Sequence, residues 1–156
     1  MATRTLTLTR DIAAPPDAVW QILTDPAGSE QVLSGVSSIE MLTDGPYRVG
    51  TRWKETRSFM GGSETEEMWV TAVDEPRSTV LAAEARGATY GTTFHLEPIP
   101  TGTRLTMEFG GEETDGGLIK RVLMTVPNRL GLMMAKKMMR QDLVDIAAAA
   151  EARPSS

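Results

Sequence analysis

The stretch from Val36 to Gly111 limits the possible folds most. It reads as strand throughout, cut at short intervals by Gly45-Pro46, Gly61-Gly62, Glu75-Pro76, Arg86-Gly87 and Pro100-Thr101-Gly102. Glycine and proline at such spacing are turn signals. The segments between them leave no room for crossover helices, so consecutive strands must pair as an antiparallel meander.

The flanks supply the remaining elements. Leu6, Leu8 and Ile12 share one parity at the start, which predicts an opening strand ended by Pro15-Pro16. Asp17 to Asp25 predicts a short helix stopped by Pro26, and a second short helical piece follows from about Gly28 to Leu33. Beyond the glycine-rich stretch Gly110 to Gly117 the chain turns helical to about Ala152, with Pro127 as a kink or as the first residue of the main helix. Leu132, Ala135, Met139, Leu143, Ile146, Ala147 and Ala150 form a stripe at 3-4 spacing that should lie on the sheet, opposite a solvated side of Lys137, Arg140, Gln141 and Asp145. One sheet, two short helices and one long helix form a single α+β domain over residues 1–152, with 153–156 as a disordered tail.

Hairpin registers then assign side chains to faces. With Gly61-Gly62 as a two-residue turn, Met60 pairs with Ser63, Arg57 with Glu66, Glu55 with Met68, Trp53 with Val70 and Thr51 with Ala72. A hairpin around residues 98–103 pairs Leu96 with Leu105, Phe94 with Met107 and Thr92 with Phe109, and a turn near Arg86-Gly87 adds Leu81, Ala83 and Tyr90 to the same face. Large apolar residues thus oppose each other, as a half-buried sheet requires. Glu55, Arg57 and Glu66 share that inward parity. Burying charge is costly without a partner. The three residues are therefore either a solvated pair at the sheet rim or polar anchors in an otherwise apolar binding site.

Other chemistry is thinly represented. The chain has no cysteine, which removes disulfides and thiolate catalysis and fits a reducing cytosol. Its net charge is −5, and only Lys136, Lys137 and Arg140 cluster as basic residues, which argues against nucleic-acid binding. No run approaches the roughly 20 apolar residues that cross a bilayer, and the first six residues lack the apolar run of a signal peptide. A cytoplasmic protein without stable membrane insertion is expected. The single histidine, His95, falls on the outer face opposite Phe94, which suits a surface residue better than a general base. No metal site is expected, since Glu64-Glu66-Glu67 and Glu112-Glu113-Asp115 read as solvated edges and loops. No glycine run has the spacing of a phosphate loop, and no cofactor is expected. Ten methionines against three phenylalanines suggest an adaptable interior.

The order of one strand, two short helices, six meander strands and a long terminal helix resembles the START-related, birch-pollen-allergen-like SRPBCC superfamily. Local motifs agree: residues Ile12 to Trp20 are similar to an I-x-A-P-x-x-x-V-W opening, followed by Thr24-Asp25-Pro26. Val49-Gly50-Thr51, Val70 to Arg77, Gly102 to Thr106, and Asp142-Leu143 with Glu151 resemble later strand and helix landmarks. The resemblance implies a helix-grip fold, a seven-stranded antiparallel sheet curved around the long C-terminal helix. Within the superfamily the bacterial polyketide cyclase/dehydrase-like subgroup is most similar. Its scaffold serves cyclases, lipid carriers, ligand sensors and co-chaperone-like domains alike.

The expected function is binding of a hydrophobic small molecule (lipid, polyketide or isoprenoid-like) in a cavity between sheet and helix. Trp53, Met68, Tyr90, Phe94, Met107 and Phe109 would line it, with Met139 from the helix and Glu55, Arg57 and Glu66 as polar anchors. The alternative is a polyketide cyclase/dehydrase-type enzyme with Glu55 as acid/base and Arg57 or Tyr90 holding a carbonyl oxygen. A nearby arginine opposes the raised pKa such a base would need. A third reading, a co-chaperone-like domain, would present Leu130, Met133, Met134 and Met138 to a partner. The chain is expected to be a monomer or homodimer.

Overall fold

The computed structural model describes residues 5–59, 61–85, 88–111 and 128–153. Seven strands, β1 (Thr5–Ile12), β2 (Val36–Met41), β3 (Arg52–Phe59), β4 (Gly62–Asp74), β5 (Ser78–Ala85), β6 (Ala88–Ile99) and β7 (Gly102–Gly111), form one sheet. Its order is β1-β7-β6-β5-β4-β3-β2, antiparallel at every step. The meander therefore runs from β2 to β7, and β1 closes onto its last strand. Helix α1 (Pro16–Leu23), a 3-10 turn (Pro26–Gly28) and helix α2 (Ser29–Val32) fill the connection from β1 to β2. Helix α3 (Asn128–Glu151) ends the fold.

Each boundary has a local cause. Pro16 opens α1, where its missing N–H costs nothing. Asp25 caps the following turn by accepting from the Gly28 amide at 3.2 Å. Register shifts between Val36 and Ser38, and between Val70 and Ala72, are bulges that bend β2 and β4. The predicted interruption at Pro127 lies outside the described residues.

The hairpin from β6 to β7 has the expected register, Leu96 with Leu105, Phe94 with Met107 and Thr92 with Phe109. The hairpin from β3 to β4 does not. Phe59 pairs with Gly62, so Arg57 faces Glu64, Glu55 faces Glu66, and Trp53 faces Met68. Gly61 takes φ +79°, a conformation that suits glycine and places the turn one residue earlier than the Gly61-Gly62 pair suggests. The difference moves each cross-strand partner by two residues. Because side chains alternate with period two, every residue keeps its face.

The core lies between the concave face and α3. Trp53, Val70, Leu81, Ala83, Phe94, Leu96, Leu105 and Met107 are buried from the sheet, as are Met139, Leu143, Ile146, Ala147 and Ala150 from the helix. The stripe holds from Met139 onward, Ala135 is half-buried, and the side chain of Leu132 lies outside the described residues. Two contacts fasten the helix to the opening segments. Glu151 accepts from the Ala13 amide at 2.9 Å. Asp145 accepts from the Ser34 amide and hydroxyl at 2.9 and 2.8 Å.

Candidate functional site

Buried charge gathers at one place on the concave face. There β3 presents Glu55 and Arg57, β4 presents Glu66 opposite Glu55, and α3 contributes Asp142. Arg57 donates from Nε to Glu55 at 2.8 Å and from Nη1 and Nη2 to the two Asp142 oxygens at 3.1 and 2.9 Å. This bidentate geometry is the strong form of a carboxylate–guanidinium pair. Glu55 and Asp142 are only 5% and 6% exposed, so the group is a buried ion triad rather than a solvated rim bridge. Burial alone would lower the Arg57 pKa, but Asp142 and Glu55 outweigh it and raise it, so the guanidinium stays charged. Burial raises the Asp142 carboxyl above its ordinary value, against the pull of Arg57, which donates to both of its oxygens.

Asp142 is the member that sequence reasoning leaves out of the site. Its signal is a carboxylate inside the apolar stripe, flanked by Met139, Leu143 and Ile146 at helical spacing. The partner expected for Arg57 is Glu66, but Glu66 interacts instead with the Tyr90 hydroxyl. Tyr90 also meets Phe109 edge to face, with ring centroids 5.0 Å apart at 65°. Trp53, Met68, Phe94 and Met107 are buried on the same face, Phe109 is half-buried there, and Met139 is buried on α3. The Trp53 indole N–H is the one buried side-chain polar atom without a hydrogen-bond partner among the described residues.

Burial first, then the neighbouring carboxylates of Glu55 and Glu64, push the Glu66 carboxyl above its ordinary value of 4.5, against the pull of Tyr90 and Arg57. A carboxyl raised by folding binds its proton more tightly in the native state. Its contribution to stability is kept below the ordinary value and is lost as pH climbs through the raised one. Glu66→Gln should therefore unfold at a higher urea midpoint than the wild type at pH 8 and at a matching midpoint at pH 4. Parallel pH profiles for the two proteins would show that Glu66 carries no such burden.

The other candidates are elsewhere. His95 is exposed on the convex face, its Nε2 3.5 Å from Glu108. Among the described residues no group of three or more histidines, aspartates and glutamates could hold a metal ion. No described helix is long and apolar enough to cross a membrane. Met133 and Met138 are exposed at 66% and 40% and Met134 is half-buried, while the side chain of Leu130 lies outside the described residues.

Known proteins share this fold. The family described as polyketide cyclase / dehydrase and lipid transport matches residues 3–151. Among curated proteins none matches. The Zhui aromatase/cyclase of Streptomyces sp. R1128 has a similar structure, with TM-score 0.77, 17% identity, and 97% of this chain and 96% of that one covered. A protein of Thermus thermophilus superposes with TM-score 0.75 at 21% identity, covering 97% of this chain and all 100% of its own. A protein of Mesorhizobium loti gives TM-score 0.69 at 24% identity over 97% and 100% of the two chains. At these identities the likeness is one of fold.

Proposed function

As the chain belongs to the polyketide cyclase / dehydrase and lipid transport family, we propose that it binds a hydrophobic small molecule between the concave face and α3. The observation that carries this reading is the contrast on that face. Apolar side chains dominate it, and its buried charge gathers where Glu55, Glu66 and Arg57 converge beside Tyr90. An apolar site with a few convergent polar groups is the usual composition of a small-molecule site. Glu55 and Glu66 stand directly opposite each other on neighbouring strands, a placement of like charges that costs stability. Such a cost at one spot is what function, rather than folding, would select. Trp53, Met68, Phe94, Met107 and Met139 would form the walls.

Ala83 offers the test. It is buried in the middle of the face, paired with Met68 on one side and Tyr90 on the other. Leucine there would project into the space a ligand occupies. Ala83→Leu should lower affinity for N-phenyl-1-naphthylamine, a neutral fluorescent probe, by about tenfold or more, while shifting stability by less than about 1 kcal/mol. If that space is solid core, the same substitution overpacks it and costs about 1–3 kcal/mol, with no probe bound by either protein.

One observation favours the enzymatic reading as the second choice. Glu66 has a carboxyl raised by burial and a tyrosine hydroxyl beside it, the elements of an acid/base pair. Glu55 is less suited to that role, since Arg57 donates to it at 2.8 Å.

A further inference from the structure

The charge balance of the polar spot limits what a ligand's head can be. Three carboxylates, Glu55, Glu66 and Asp142, face one guanidinium, and all three Arg57 nitrogens already donate to Glu55 and Asp142. Glu64 adds a fourth carboxylate opposite Arg57 on β4. A carboxylate or phosphate head would meet excess negative charge and no uncommitted cation. A donor is nevertheless available: the Trp53 indole N–H is buried, and no acceptor meets it among the described residues. Leaving a buried donor unmade costs free energy, so such an atom in a native structure calls for an explanation.

Register puts these groups together. Trp53 and Glu55 lie two residues apart on β3 and face the same way, and Glu66 pairs with Glu55 while Met68 pairs with Trp53. Trp53 and Glu66 are therefore diagonal neighbours on one face, within reach of long side chains and of one small group set between them. That group must accept from an indole N–H and donate to a carboxylate. A hydroxyl does both. An ammonium donates but cannot accept, and a carboxylate accepts but cannot donate.

We infer that the ligand carries a neutral hydroxyl, as an alcohol or phenol, at its buried polar end, bound between Trp53 Nε1 and the Glu66 carboxylate. This rests on the ligand-binding reading above and sharpens it to a head-group class. It also gives Arg57 a positioning role, since the arginine holds Glu55 and Asp142 and contacts no ligand atom.

Three probes of equal chain length test it: decan-1-ol, decanoate and decylammonium, titrated by calorimetry at pH 8 below their aggregation limits. Decanol should bind at least about tenfold more tightly than decanoate, with decylammonium between them. Trp53→Phe should weaken decanol several-fold and leave decylammonium nearly unchanged, and Glu66→Gln should narrow the gap between decanol and decanoate. Decanoate binding as tightly as decanol overturns the inference while the binding reading stands. Decylammonium binding more tightly than decanol overturns the role of Trp53. If none of the three binds, and N-phenyl-1-naphthylamine does not bind either, the ligand-binding reading itself fails and takes this inference with it.

Discussion

Arg57→Met should lower the free energy of unfolding by roughly 3–5 kcal/mol, the range for breaking a buried ion pair by removing one partner. The substitution strands Glu55 and Asp142, which are 5% and 6% exposed, without a counter-charge. Methionine fills much of the space, so the loss would come from electrostatics rather than from a void. Stranded carboxylates recover by taking up protons, so the deficit should shrink between pH 8 and pH 5. Replacing all three members together with apolar residues should restore most of the stability, because the pairing mainly offsets its own desolvation. Asp142→Asn alone keeps one acceptor for the guanidinium and should cost less, about 1–3 kcal/mol. Urea unfolding measures each case, and an Arg57→Met loss below about 1 kcal/mol would mean the triad behaves as a solvated surface bridge.

Gly102→Ala should be comparably severe for a purely steric reason. Gly102 has φ +144° at the start of β7, and a Cβ there would lie 2.1 Å from the Ile12 carbonyl oxygen and 2.8 Å from the Ala14 amide nitrogen. Both obstacles are backbone, so no side chain can swing away. The junction is tight: Thr103 is fully buried and donates to the Ala14 carbonyl at 2.7 Å. Strain at φ and overpacking together should cost on the order of 3 kcal/mol or more. Gly61 is the control, since it also has positive φ, +79°, but a Cβ added there would meet nothing within 4 Å. Gly61→Ala should cost only the left-handed penalty of about 1–2 kcal/mol. Equal thermal shifts for the two variants would show that steric closure around Gly102 contributes nothing.

These two sites also show what a sequence can and cannot reveal. Turn spacing dictates the meander, and hydrophobic parity dictates the inward face, because both are local properties with a fixed period. The β3–β4 turn falls one residue earlier than expected, since Gly61 with its positive φ suits either placement of the turn. The face assignment is unaffected because the pairing differs by two residues, a whole period. The polar spot is legible as Glu55, Arg57 and Glu66, but its wiring is not. Arg57 and Asp142 are 85 residues apart in the chain, and no local pattern joins a strand arginine to a helix aspartate. The opposition of Glu55 to Glu66 likewise emerges only with the true register. The orphan donor of Trp53 depends on packing around one atom, which no sequence periodicity reports.

Native mass spectrometry of the protein isolated from the cells that make it tests the central claim most directly. The account predicts a population heavier than the bare chain by one small molecule, released on activation as a neutral compound bearing a hydroxyl and absent from Ala83→Leu prepared in the same way. A bare chain mass throughout, unchanged after incubation with decan-1-ol and N-phenyl-1-naphthylamine, would contradict it.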